Sequence, residues 1–191
     1  MAKPAKPKPP PRVCPCHSGR TYDACCAPYH RGEREAPDPV ALMRSRYAAF
    51  AMGEAEYLLR TLHADHADRV LPRAELLRSL RGARDRLSYS GLQILDSRHG
   101  GGTGEVLFCA GITEGGRDQS FVELSDFEHD GEGWRYLSGI LMPLGELGRS
   151  PEGLTIDAYL AIAGGYCGGS QVDPDLGGRP VDALPGWPNL G

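Results

Sequence analysis

The stretch Cys14-Pro15-Cys16-His17-Ser18-Gly19-Arg20-Thr21-Tyr22-Asp23-Ala24-Cys25-Cys26 puts four of the chain's six cysteines within thirteen residues. One residue separates Cys14 from Cys16 and none separates Cys25 from Cys26, so neither pair closes an ordinary disulfide without strain. Four thiolates converging on one cation suit this spacing better. A tetrahedral zinc ion takes four sulfurs at about 2.3 Å and gives shape to a segment with too little apolar surface to fold alone. Cys14, Cys16, Cys25 and Cys26 are therefore the expected ligands, and zinc the expected structural cofactor. Ser18-Gly19 reads as a tight turn in which the glycine takes positive φ and backbone N–H groups point at sulfur. Tyr22 is expected to cover one side of the cluster, and Arg12 and Arg20 to offset the negative charge that four thiolates leave on a divalent ion. Two readings compete: a redox switch at the vicinal Cys25-Cys26, which needs an accessible thiol of low pKa, and simple reactive thiols, which need no paired spacing.

The pattern Cys-Pro-Cys-x-Ser-Gly-x-x-Tyr-x-x-Cys-Cys resembles the SEC-C motif, the small zinc module found at the C-terminus of the SecA translocation ATPase and in many short bacterial proteins. Downstream, Ala36-Pro37-Asp38-Pro39, Leu42-Met43-Arg44-Ser45-Arg46-Tyr47 and Thr61-Leu62-His63 are similar to the YchJ family of bacterial proteins. In that family a SEC-C motif precedes a domain resembling the nuclear-transport-factor-type cone. The likeness runs over residues 13–139 and implies a zinc module joined to an α+β cone, with no established activity attached. Three departures stand out. His17 occupies a position where the motif usually has glycine, making it either a fifth ligand or a bulkier turn. Asp23 replaces a common lysine, which weakens the basic face such modules offer to partners. The second copy of the motif that many members carry near the C-terminus is missing.

With 191 residues the chain holds one ordinary domain plus a small module. Its 40% hydrophobic residues suffice for a core, while 26 Gly and 16 Pro signal long irregular portions. A net charge of −4 argues against general nucleic-acid binding. Residues 1–12 are an exception, carrying Lys3, Lys6, Lys8 and Arg12 without an acid. They lack an apolar h-region and read as a disordered, proline-rich leader rather than a secretory signal. No run approaches the roughly 18 apolar residues of a spanning helix. A cytoplasmic, reducing location follows, where clustered cysteines hold metal more often than they form disulfides.

The chain divides into the leader at 1–12, the knuckle at 13–36, the cone at 37–145 and a Gly/Pro-rich extension at 146–191. His30, just past the cysteines, is expected on the surface beside the module rather than as a substitute ligand. Asp38 as N-cap and Pro39 at the first position open a helix that runs to residue 52 and stops at Gly53. Further helices are predicted over 54–62 and 73–81. From residue 87 the period changes from helical to alternating. Strands follow over 87–98, 105–113, 119–129 and 134–138, with glycine-rich turns between them. The predicted fold class is α+β: three helices packed across one side of a curved antiparallel sheet.

In the strand at 119–129, Phe121, Glu123, Ser125 and Phe127 share one face and Val122 and Leu124 the other. Glu123 is then a carboxylate in a half-apolar wall, a candidate general base whose polar partners are His63 and Arg46. The simpler reading is a buried ion pair of Arg46 with Glu123 that ties helix to sheet. His63 and His66 have H-x-x-H spacing, but no third ligand stands nearby in sequence. Cys109 reads as a small sheet residue and Cys167 as a lone cysteine without chemistry. No phosphate loop and no nucleophile elbow occur. A short helix is expected over 156–163, and the remaining tail either stays mobile or drapes over the domain through Tyr166, Leu184 and Trp187.

Two functions follow. The first is a zinc-binding adaptor whose knuckle contacts a protein partner, by analogy with SecA one from the secretion or translation machinery. The second is a small-molecule-binding protein or enzyme using a cone cavity with Arg46, His63 and Glu123. An open cavity holding those residues favours the second, and an interior plugged by Phe121, Trp134 and Tyr136 favours the first.

Overall fold

The computed structural model describes residues 12–166. The leader up to residue 11, the thiol of Cys167 and the tail contacts expected of Tyr166, Leu184 and Trp187 lie outside the described residues.

After the cysteines, helix α1 (Ala27–His30) makes one turn. Helix α2 (Pro39–Met52) begins where expected, because the Asp38 carboxylate accepts a hydrogen bond from the Ala41 amide at 2.7 Å and Pro39 needs no partner for a missing N–H. It ends at Gly53, whose φ of 77° belongs to the left-handed region. Buried side chains occupy more than one face of α2: Met43, Tyr47 and Phe50 join the cone core, while Ala48 packs on the cysteines.

Helix α3 (Ala55–Arg60) is shorter than its periodicity predicts. The backbone of Thr61 to His63 leaves the helix to bridge the sheet edge, with Tyr136 N–H donating to Thr61 O at 2.9 Å and His63 N–H donating to Tyr136 O at 2.8 Å. Helix α4 (Arg73–Arg86) runs past its expected end because Ala83, fully buried, continues the stripe of Leu76 and Leu80.

The chain passes straight from α4 into β1 (Leu87–Gly100), followed by β2 (Thr103–Glu114), the two-residue β3 (Arg117–Asp118), β4 (Phe121–His129) and β5 (Trp134–Pro143). These form one antiparallel sheet in the order β1-β2-β4-β5, with β3 beside β2. The last strand continues well beyond 138, pairing down to Phe121 opposite Pro143. Gly139 lies on this added part. A Cβ there would stand 2.5 Å from Glu123 Oε1 and 2.8 Å from the Tyr136 hydroxyl, so the absence of a side chain makes room for that buried pair.

Both sheet faces are covered. Val106, Phe108, Ile112, Phe121 and Phe127 meet α2, α3 and α4 in the main core. Leu107, Val122, Leu124 and Met142 meet Leu154, Ile156 and Tyr159, because helix α5 (Ile156–Tyr166) lies on the opposite face. The Tyr159 hydroxyl donates to Ile140 O at 2.9 Å. The three helices α2, α3 and α4 cover one face as expected, and the segment beginning at 146 adds α5 to the other and completes a second core. Among the described residues no helix is long and apolar enough to cross a membrane.

Candidate metal centre and interior polar network

The sulfur atoms of Cys14, Cys16, Cys25 and Cys26 all lie within 4.8 Å of one another. Four sulfurs held at about 2.3 Å from one centre form a tetrahedron with edges of about 3.8 Å, close to the 3.5 Å from Cys16 to Cys25 and the 3.8 Å from Cys25 to Cys26. The four cysteines are positioned to bind a metal ion. A small hairpin delivers Cys14 and Cys16, with Cys14 N–H donating to Arg20 O, Tyr22 N–H donating to Arg12 O and Val13 bridging Thr21; Cys25 closes the 3-10 turn that follows at Tyr22–Ala24 and Cys26 caps α1. Cys14, Cys16 and Cys26 are buried, whereas Cys25 is half-buried with the Ser18 hydroxyl 3.2 Å from its sulfur.

Sulfurs this close cannot all ionise unaided. The Cys14 thiol is pushed up to about 11, first by its hydrogen bond with Cys16. Cys26 is driven up by Cys14 and Cys16, while Cys16 is held down because those two thiols donate to it. A divalent cation is the partner that lets the set become thiolates together. Of the two arginines expected to offset the charge of the cluster, Arg20 donates to Ala24 O. Arg44 of α2 also reaches the loop, holding Cys16 O at 2.9 Å, a contact the sequence did not flag.

His17 has φ 56°, the left-handed conformation that explains why glycine is usual at this position. The ring is exposed, edge-on to Tyr47 with centroids 6.2 Å apart, and stands outside the cluster of four sulfurs. Of the two expectations for His17, the bulkier turn is the one seen. A left-handed non-glycine residue costs about 1 kcal/mol or more, partly offset by the extra unfolded-state entropy of glycine. His17→Gly should therefore stabilise the metal-loaded protein by about 0.5 kcal/mol, read as a higher thermal midpoint; a lower midpoint would mean the Tyr47 contact outweighs the strain.

His30 is buried, not on the surface as expected. The Tyr22 hydroxyl donates to its Nδ1 at 2.9 Å, its Nε2–H donates to Ser45 O at 2.9 Å, and its ring lies 4.6 Å from that of Tyr57. Burial lowers its pKa, in keeping with a neutral ring donating through one nitrogen and accepting through the other. His30 thus pins the knuckle to α2 and α3. Its surroundings come from three separate elements, so no local pattern announced them.

Inside the cone, Arg46, Glu123, Ser125 and Tyr136 are all buried. Arg46 Nη1 donates to Leu58 O at 3.0 Å and to the Thr61 hydroxyl at 2.8 Å, and its guanidinium lies 4.8 Å from the centre of the Tyr136 ring. The Tyr136 and Ser125 hydroxyls donate to Glu123 Oε1 at 3.1 and 2.5 Å. Arg46 and Glu123 form no direct ion pair; Tyr136 stands between them. His63 belongs to neither group. Its Nδ1 accepts from Asp65 N–H at 3.2 Å and its Nε2 faces Glu128 Oε2 at 3.2 Å. His66 lies against the Tyr136 ring, 5.4 Å between centroids. Among the described residues the four cysteines are the only clustered metal-ligand group of three or more, so His63 and His66 do not form one.

A family model described as "YchJ, middle NTF2-like domain" matches residues 38–139, and a SEC-C motif model matches residues 13–28. A UPF0225 protein of Deinococcus radiodurans is 43% identical over 140 residues, covering 72% of this chain and 97% of the relative. The chain belongs to the YchJ family. A SEC-C motif containing protein from Rhodopseudomonas palustris, solved in solution, is 33% identical with a TM-score of 0.60 over 68% of this chain and 98% of that one. A crystal structure of a SEC-C motif containing protein from Psychrobacter arcticus shares the fold at 22% identity and a TM-score of 0.57, over 74% of this chain and 90% of that one.

In this YchJ-family chain two surface clefts, of about 530 and 600 Å³, are lined by neither Arg46, His63 nor Glu123. Burial raises the Glu123 carboxyl above its ordinary value, against the hydrogen bonds from Ser125 and Tyr136 that lower it. With the folded value above the unfolded one, the folded state binds more protons within that window, so stability is greatest below it and falls as pH rises through it. Glu123→Gln should flatten this decline, leaving the variant more stable than the wild type at about pH 8 and level with it at about pH 4. Urea unfolding across pH reads both; parallel curves for the two proteins would contradict the burial of a strained carboxylate.

Proposed function

We propose that this chain is a zinc-binding adaptor of the cytoplasm, in which zinc on Cys14, Cys16, Cys25 and Cys26 fixes the knuckle and the knuckle's outer face binds a protein partner. The observation that carries this reading is the filled cone. Phe121, Glu123, Trp134 and Tyr136 are each at most 8% exposed, and the interior polar groups bond to one another rather than facing an open site. The knuckle, by contrast, turns its sulfurs toward Ala48 of α2 and exposes Val13 to 71% on the other side, with Arg12 and Arg20 nearby. The motif's use at the end of SecA makes a component of the secretion or translation machinery the first partner to look for.

Elemental analysis of the reduced protein should return zinc equimolar with chain. Affinity capture from a lysate, followed by binding assays with the purified partner, should give contacts that survive Glu123→Gln and vanish in Cys25→Ser/Cys26→Ser. An absence of zinc, or partners retained equally by the double serine variant, would defeat the reading.

A further inference from the structure

We propose that the cleft between α3 and the start of α4 docks an acidic peptide segment that presents an aliphatic side chain. This goes beyond the knuckle reading and does not depend on it. The floor is aliphatic: Leu59 and Leu76 are buried, while Leu71 is 39% exposed at the rim and its neighbour Val70 is 77% exposed. Arginines surround this floor. Arg60, Arg69 and Arg73 line the cleft against a single acid, Glu56, giving a positive surplus on a chain whose net charge is −4.

The cleft already receives one carboxylate, its own. Glu56 accepts from Arg73 Nη2 at 2.6 Å and from Arg81 Nη2 at 3.4 Å, which shows that these guanidiniums reach a carboxylate and still leave Arg60 and Arg69 without an acidic partner inside the cleft. Those two are held in place by backbone: Arg69 Nη2 donates to Leu62 O at 2.7 Å and to Leu59 O at 3.1 Å, and Arg60 Nη2 donates to Tyr29 O at 2.9 Å while stacking 5.2 Å from the centre of the Tyr57 ring. Charges fixed in advance lose little side-chain entropy on binding. A volume of about 600 Å³ admits a few side chains. A nucleic acid fits less well, since no aromatic ring lines the cleft for base stacking and the whole chain is acidic. An aliphatic floor ringed by arginine matches a partner that pairs acids with a leucine-like anchor.

Selection of short random peptides displayed on phage against the full-length, metal-loaded protein tests this. Enriched sequences should combine Asp or Glu with Leu, Ile or Val. By fluorescence anisotropy, R60E/R69E, which reverses the two cleft arginines that have no acid of their own, should weaken them about tenfold or more, and Leu71→Asp should weaken them without touching an arginine. R78E, with the same change of sign at an exposed position of α4 outside the cleft, should change affinity by less than about twofold. Thermal midpoints would establish that each variant is folded. The proposal is overturned if no peptide is enriched, if the enriched peptides lack acids, if R60E/R69E binds them as the wild type does, or if a single-stranded oligonucleotide displaces them and binds more tightly.

Discussion

Replacing Cys16 with serine should empty the metal centre and unfold the knuckle while the cone stays folded. Cys16 has no exposed surface, and its sulfur stands 3.5 Å from that of Cys25, so no solvent ligand can enter without opening the hairpin. Binding of structural zinc supplies about 10–16 kcal/mol to the folding of isolated zinc modules, and the knuckle has little else: its core is the cysteines themselves with Tyr22 and Ala48. The cone keeps its own two cores, which contain none of the four sulfurs. Some of its stability is nevertheless lost, because Arg44 gives up Cys16 O and His30 loses the frame that holds it on Ser45 O. A thermal midpoint about 5 °C lower is expected, from 1–2 kcal/mol of lost docking. Hydrogen exchange should show residues 13–30 unprotected and β2 and β4 unchanged. Full metal content in Cys16→Ser, or uniform loss of protection over the cone, would contradict this picture.

Arg46→Ala should be the most damaging single change inside the cone, at about 3–5 kcal/mol, since it removes one member of a buried charged network and leaves a cavity. Leu58 O and the Thr61 hydroxyl each lose a donor, and the Tyr136 ring loses the cation facing it. The carboxyl of Glu123 loses the compensating positive charge that lowers its pKa, so burial raises it further. Glu123→Gln in the same chain should therefore restore part of the loss, a coupling that additive sites do not show. Urea denaturation of the wild type, both single variants and the double variant measures it. A cost below about 1 kcal/mol for Arg46→Ala would mean that packing alone holds α2 to the sheet.

Local rules made much of the chain legible. Asp38, Pro39 and Gly53 mark the ends of α2 because capping and left-handed backbone are chemistry of a few adjacent residues. Alternation of Val106, Phe108, Ala110 and Ile112 identified β2, because side-chain direction in a strand has period two. The extension of β5 to Pro143 was harder to see, since it depends on Gly139 making room for a pair of side chains, one of which sits on another strand.

Cysteine spacing by itself determined that a metal-sized cluster of sulfurs would form near residues 14–26, and residue order determined helices first and an antiparallel meander after. Only tertiary structure decided that His30 is an internal strut, that Tyr136 intervenes between Arg46 and Glu123, that α5 seals the second sheet face, and that arginines from two helices and a connecting turn share one cleft. The division has one cause: ligand spacing, caps and alternation are set by neighbours along the chain, whereas burial and pairing depend on which distant segments the fold brings into contact.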